Sequence, residues 1–349
     1  MENILDEILE NTKKLMSYKT IKDNFLEFDK SLEYVKEELK EYEIREIVID
    51  NYKNLVISNT LDKNLDIIFC GHIDVVPKEN YDIKISDNKL FGRGSFDMKS
   101  QLSVIISLLK NNKTDKKIAF IITSDEEIGG NCCKQIMKEY NSKLAVIPDG
   151  GKNFELIVEE KGLLQLELKM KGVTAHASEP YKGDNPILKL ISIYEKLVSI
   201  YKMPKNEDEF LTTINLSKLN GGTSVNMVPP EATMVLDIRF TKDDSIEKII
   251  NDIKTISTEV EINILDQGPV FQVDDNNPLI LDFIEKAENI LKKDIKIKKC
   301  VATSDAIYFS EKNIPTIIIN PNGDYWHGPN EYVDINSLYT LYEIFKTLL

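Results

Sequence analysis

Residues 66–77 read DIIFCGHIDVVP, and the fold follows from this stretch. DIIFC (66–70) is a continuous apolar run, the pattern of a strand covered on both faces. His72 and Asp74 stand directly after it, where the chain leaves the strand. Outward from here, strands and helices alternate. Upstream, REIVI (45–49) and NLVIS (54–58) read as strands, and the first 45 residues as two helices. In the second of these, Phe25, Phe28, Leu32, Val35 and Leu39 recur at spacings of 3, 4, 3 and 4, which is one face of a helix. Downstream, residues 97–110 read as helix, KIAFIIT (117–123) as another buried strand, 130–140 as helix and LAVI (144–147) as strand. The alternation predicts an α/β layered domain with a central mixed sheet.

The pattern changes near Gly162. LLQLELKM (163–170) alternates apolar and polar, the signature of a half-exposed antiparallel strand. A helix at 186–202, strands at 212–218 and 232–240, a helix at 245–256 and a strand at 259–265 follow. They describe a small α+β domain with helices on one face of a sheet. After QGPVFQ (267–272) the buried α/β style returns, with a helix at 277–292, a turn at ATSD (302–305), a strand at 315–319 and a last helix from 335. The expected organisation is a layered domain in two parts, 1–162 and 267–349, interrupted by an inserted domain, 163–266.

The 349 residues are 42% hydrophobic and 29% charged, ordinary for a globular protein and unlike a disordered or fibrous one. The length suits roughly two domains with a sizeable core. Acids outnumber bases by 58 to 44, for a net charge of −14. That balance argues against nucleic acid or an anionic membrane as partner, since both call for a basic footprint. The opening MENILDEILENTKK carries acids where a signal peptide has a basic start and an apolar centre. No apolar run approaches the ~18 residues of a membrane span. Four cysteines, Cys70, Cys132, Cys133 and Cys300, form no CxxC pair, so reduced thiols and a cytoplasmic location are expected.

Chemistry-bearing residues gather at strand ends. His72 and Asp74 follow 66–70; Asp97 sits in GRGSFDMKS; Glu126 and Glu127 follow 117–123; Asp149 follows 144–147; His327 lies in WHGPNEYV after 315–319. In open α/β sheets, sites form beyond the carboxyl ends of the strands, so these loops are expected to converge. Imidazole and carboxylate donors without thiolates suit zinc, cobalt or manganese. The carboxylates of Asp97, Glu127 and Asp149, with one hydroxide, balance the charge of two divalent ions. Asp74 can accept the second N–H of His72 and fix its tautomer, and Glu126 is left to take a proton from water. GRGSFD imitates a dinucleotide loop, but an aspartate stands where the third glycine belongs, and no acidic residue follows a second strand at the required distance.

The five segments, in this order and each after a strand, resemble the dinuclear zinc metallopeptidases and deacylases. That family includes carboxypeptidase G, aminoacylase, acetylornithine deacetylase, succinyl-diaminopimelate desuccinylase and bacterial dipeptidases. The resemblance covers essentially the whole chain. It implies that His72 and Asp149 bind one zinc and Glu127 and His327 the other, with Asp97 bridging, Glu126 as general base and Asp74 orienting His72. It makes the inserted domain a lid or dimerisation domain and the protein a homodimer. KGVTAHASEPYKGDNPI (171–187) resembles the lid segment whose histidine, here His176, stabilises the oxyanion. NGGTSVNMVPPEATMVLDIRF (220–240) resembles the segment whose asparagine and arginine, here Asn226 and Arg239, hold the substrate; a plain salt-bridge role for Arg239 stays open.

Ser304 lies in the ATSDAI stretch (302–307) that resembles the family's Gly-Thr-Ser-Asp-Ala-Arg. Here Ile307 replaces the arginine, which weakens the case for a dicarboxylate substrate. Asp149 stands where many deacylases and carboxypeptidases of the family have glutamate, and the amino- and dipeptidases tend to have aspartate. The expected activity is hydrolysis of the amide bond of N-acyl amino acids or short peptides. A dipeptidase or aminopeptidase that needs a free amine is the alternative, and a non-catalytic metal-binding scaffold the remote one.

Overall fold

The computed structural model describes residues 2–206 and 209–349. The chain divides into two compact units. The first takes the chain up to Glu159 with Val273–Cys300 and Ser304–Leu349; the second takes Glu160–Gln272 and Val301–Thr303. In chain order the strands begin with β1 (Glu43–Ile49), β2 (Tyr52–Ser58), β3 (Asn64–His72), β4 (Lys84–Ser86), β5 (Lys89–Phe91), β6 (Ile118–Thr123), β7 (Asn141–Ile147) and β8 (Leu156–Glu160). The insertion adds β9 (Gly162–Lys171), β10 (Thr213–Gly221), β11 (Glu231–Phe240), β12 (Glu261–Gly268) and β13 (Phe271–Gln272). Then follow β14 (Ile297–Cys300), β15 (Thr316–Ile319), β16 (Gly323–Asp324) and β17 (Tyr332–Asp334). The helices are α1 (Glu2–Met16), α2 (Phe25–Glu38), α3 (Lys99–Asn111) and α4 (Asn131–Ile136), then α5 (Pro186–Ile200) and α6 (Ile246–Ile256) in the insertion, then α7 (Pro278–Leu291), α8 (Ala306–Ser310) and α9 (Ile335–Lys346).

The first unit is built on a mixed sheet in the order β1-β2-β6-β3-β7-β15-β8, with β14 also paired to β8. Its centre is parallel: β6, β3, β7 and β15 run the same way, while β1, β2 and β8 pair antiparallel with their neighbours. The composition of β6, IAFIIT, explains its position. All six residues are buried, as a strand with both faces covered requires. Phe69 on β3 meets Phe345 on α9 at 5.8 Å between ring centres, and both are fully buried. Lys99, buried at the start of α3, donates to the carbonyls of Leu15 (3.1 Å) and Tyr18 (2.7 Å) and ties the end of α1 to that helix.

Because the four central strands are parallel, their carboxyl ends share one edge of the sheet. His72 pairs with Thr123 in the β3–β6 register, so the loops after β3 and β6 leave side by side. The loops after β7 and β15 emerge beside them. A second, small sheet in the order β16-β17-β5-β4 carries the segments before Asp97 and around His327. Its β4–β5 hairpin turns through Asp87 and Asn88, both left-handed at φ 53° and 61°, the conformation that a two-residue turn between twisted strands demands.

The second unit holds a four-stranded antiparallel sheet in the order β10-β11-β9-β12. On β9 Leu164, Leu166, Leu168 and Met170 are buried, and they pack with Leu190, Ile193 and Leu197 of α5 and Ile249 and Ile253 of α6. Both helices start on side-chain caps: Asn185 accepts from the Ile187 N–H with Pro186 behind it, and Ser245 accepts from the Lys248 N–H. Among the described residues no helix is long and apolar enough to cross a membrane. Cys70, Cys132 and Cys133 are buried thiols.

Candidate metal centre

The edge where β3, β6, β7 and β15 end collects the residues that the sequence singled out there. His72 is the last residue of β3 and only 1% exposed. Its Nδ1 lies 3.0 Å from the backbone carbonyl of Asp74 and 3.5 Å from that residue's Oδ1. The nearer acceptor of the ring N–H is thus the main chain, where the sequence pattern led one to expect the carboxylate. Either acceptor takes the Nδ1–H, so Nε2 is the ring nitrogen turned toward Asp97, where an ion would bind. Asp74 also serves a second purpose, because its Oδ1 and Oδ2 accept the backbone N–H groups of Glu126 (3.3 Å) and Glu127 (3.0 Å). One carboxylate therefore fixes the loop after β6 against the loop after β3.

Asp97 occupies the centre. Its Oδ1 is 3.0 Å from His72 Nε2 and its Oδ2 is 3.1 Å from His327 Nε2. Beyond these, Asp149 Oδ2 lies 3.7 Å from His72 Nε2, and Glu127 Oε2 lies 3.0 Å from His327 Nε2. One carboxylate thus faces two imidazoles, each with a further carboxylate at its side. His327 itself is left-handed at φ 61° in a half-exposed loop.

The site is crowded with charge, and the titration of the metal-free protein reflects it. Burial raises Asp149 to about 7 and lifts Glu126 well above the usual carboxylate range; the carboxylates around each add to the effect. Burial works against the imidazolium of His72, but hydrogen bonds to Asp74 and Asp97 outweigh it and hold the ring well above its ordinary value. His327 is pushed up to about 10 by its hydrogen bonds to Asp97 and Glu127. Burial alone would raise Asp97, yet the two imidazoles hold it below the carboxylate range.

The donor set fits metal ions. Ligand atoms of His72, Asp97 and Glu127 lie within 4.8 Å of one another, as do those of His72, Glu126 and Asp149. Glu127 Oε1 is buried without a hydrogen-bond partner, a costly state that a cation would relieve. Imidazoles with carboxylates and no thiolate are the hard-to-borderline set of zinc, cobalt and manganese.

Of the other candidates, three belong to the second unit and Ser304 to the first. His176 and Asn226 lie in the second unit on paired loops: His176 bridges Met227, and the Ala177 N–H donates to the Asn226 carbonyl at 2.9 Å. His176 is exposed, and its Nδ1 accepts the Ser178 N–H at 3.2 Å, which places the ring proton on Nε2. Asn226 Oδ1 accepts from Ser224. Arg239, on β11, commits its guanidinium to Asp237, with Nε to Oδ1 at 2.9 Å. Ser304 is buried in the first unit, and its Oγ accepts the Ala306 N–H at 3.3 Å. Sequence reasoning passes over Arg93 and Glu331, a buried ion pair next to Asp97 and His327. Both sit inside motifs already quoted, GRGSFDMKS and WHGPNEYV, but nothing in either motif marks its charge as buried or paired.

Comparison with known proteins gives the family and the fold. A curated relative, the succinyl-diaminopimelate desuccinylase of a Sulfurovum species, is 24% identical and is matched over 99% of this chain and 97% of its own length. The solved aminopeptidase PepT of Bacillus cereus superposes with a TM-score of 0.78 at 21% identity, covering 99% of this chain and 97% of that one. A Bacillus subtilis protein described as a dinuclear metal binding peptidase of the M20 family superposes at 0.72 with 15% identity, over 100% and 98% of the two chains. The profile of peptidase family M20/M25/M40 matches residues 68–349. The chain belongs to peptidase family M20/M25/M40 and is a hydrolase of amide or peptide bonds.

Proposed function

We propose that the protein is a two-metal hydrolase of N-acyl amino acids or short peptides. The observation that carries the reading is the Asp97 carboxylate between His72 and His327, each with its own further carboxylate. His72 and Asp149 would hold one ion, Glu127 and His327 the other, with Asp97 shared; zinc is the first candidate, cobalt and manganese the others. Ions held there supply Lewis acidity and bring the pKa of a water molecule toward neutrality. Glu126 accepts a proton from the attacking water as its oxygen joins the carbonyl carbon. The same carboxyl then gives that proton to the amine nitrogen as the C–N bond breaks. Asp74 holds the backbone of Glu126 and Glu127 in place.

We assign to His176 the role of oxyanion donor, in its own subunit or in the partner of a homodimer formed through the second unit. Its Nε2–H suits that role, because Nδ1 is already an acceptor. Asn226 is assigned to the substrate. Arg239 supports the sheet through Asp237 in this reading, and Ser304 is assigned to the substrate on the likeness of its ATSDAI stretch alone. His176→Ala is expected to lower kcat by about 10²–10³-fold, the usual cost of one oxyanion donor, with metal content unchanged. Parental kinetics in that variant would remove His176 from the reaction.

Two readings of the substrate are separable. The desuccinylase likeness speaks for an N-acyl substrate. Against a dicarboxylate stands Ile307, buried in α8 where many relatives carry a second arginine. Asp149 in place of glutamate, and the aminopeptidase-like fold, favour short peptides with a free amine. The deciding experiment is elemental analysis with a hydrolysis panel. Two ions per chain and turnover of N-acetyl amino acids support the deacylase reading, and a strict need for a free α-amine selects the peptidase. No ion and no hydrolysis would overturn both.

A further inference from the structure

We propose that Glu331 and Arg93 are positioning residues that fix the distance between Asp97 and His327 and so set how tightly the ion on the His327 side is held. The inference rests on the two-metal reading above. Glu331 is fully buried. Its Oε1 accepts two successive backbone N–H groups, of Phe96 at 3.0 Å and of Asp97 at 3.1 Å. Its other oxygen forms an ion pair with Arg93 Nη1. The second arm of the same guanidinium, Nη2, donates to the backbone carbonyl of His327 at 2.9 Å. The Glu331 carbonyl in turn accepts the Gly92 N–H at 3.1 Å.

One buried pair thus grips the main chain of two facing residues that are 230 positions apart in sequence. Within the His327 loop itself, the Gly328 N–H donates to the Tyr325 carbonyl at 2.8 Å, a local tie that does not reach Asp97. The chemistry explains the residue types. A carboxylate can accept from two peptide N–H groups and a guanidinium together, whereas a glutamine offers one oxygen and must turn an NH₂ toward one set of donors. A guanidinium can reach a carboxylate and a carbonyl from its two arms in a fixed fork; an ammonium has no such fork. A buried ion pair seldom adds stability over apolar residues of the same volume, so its use here is positional.

The test compares parent, Arg93→Lys and Glu331→Gln by zinc titration against a chromophoric chelator, with thermal unfolding alongside. Outer partners of metal ligands commonly govern affinity by 10–100-fold. Arg93→Lys keeps the charge pair but loses the grip on His327, so one of the two ions is expected to bind about 10–100-fold more weakly and the other as in the parent. Its kcat is expected to return when zinc is raised to refill the weak site. Glu331→Gln, which also frees the Asp97 backbone, is expected to weaken both ions. Should Glu331→Gln not fold, Arg93→Lys decides alone. Parental affinity for both ions in Arg93→Lys overturns the proposal, and so does equal weakening of both in that variant. A parent that binds fewer than two ions overturns the two-metal reading instead.

Discussion

Glu126→Gln is expected to bind two ions per chain as the parent does and to lose about 10²–10⁴-fold in kcat, the range that a positioned proton carrier supplies. The side chain changes by one atom, and the groups that hold it in place are main-chain: its N–H stays on Asp74 Oδ1 at 3.3 Å. What disappears is a basic oxygen. In the metal-free protein burial lifts Glu126 well above the ordinary carboxylate range, with Asp149, Asp305 and Glu127 adding to the rise through their charges. A carboxylate lifted above its ordinary value is a stronger acceptor for the proton of water than an unperturbed one, and the same group can return that proton to the leaving amine. Glu126→Asp keeps the chemistry but draws the carboxylate back by one methylene, so its kcat should fall between parent and Glu126→Gln. Elemental analysis alongside steady-state kinetics separates loss of the base from loss of ions. A Glu126→Gln protein with two ions and full turnover would leave the base unassigned.

The sequence was most legible where burial and periodicity speak together. IAFIIT and DIIFC read as covered strands because nothing polar interrupts them, and both lie in the parallel centre of the sheet. Once these strands are parallel, His72, Glu126, Glu127 and Asp149 must leave from one edge, so most of the site follows from strand order alone. Asp97 and His327 were harder. Neither directly ends a central strand; the small β16-β17-β5-β4 sheet brings their segments to the site. Its strands are two or three residues long, too short for any periodicity to register, although Asp87-Asn88 carries a hairpin turn signal.

Pairing across distance was not legible at all. Arg93 and Glu331 stand 238 positions apart, and each alone reads as an ordinary surface charge. The choice of His72 Nδ1 for the Asp74 carbonyl over its carboxylate is a matter of tenths of an ångström. The helix expected at 130–140 stops at Ile136, since β7 begins at Asn141, where it pairs with Asn64. The second unit starts at Glu160 and also takes in Val301–Thr303, a tertiary fact that no local composition marks; the Thr303 hydroxyl donates to the Lys161 carbonyl at 2.8 Å.

Removal of the ions with a chelator is expected to abolish turnover and restoration of zinc to return it, and the return should depend on pH in a calculable direction. In the metal-free protein His327 titrates at about 10 and His72 well above its ordinary value, so at pH 7 both rings carry a proton. An ion that takes Nε2 of either ring must displace that proton, which makes binding weaker as pH falls and stronger as it rises. Loading is therefore expected to release protons from the two imidazoles, with Asp149, at about 7, adding a fraction.

Stability follows with the opposite sign in the metal-free state. The raised pKa of His327 gives stability that is fully present below the unfolded value near 6.5 and is lost as pH rises through about 10. Metal-free protein should therefore lose stability above neutral pH, while the ion-induced rise in Tm grows. Isothermal titration of zinc in two buffers of different ionisation enthalpy counts the protons, and thermal unfolding of both forms from pH 6 to 9 gives the second sign. Loading without proton release, at an affinity independent of pH, would mean that the imidazoles of His72 and His327 are not what the ions bind.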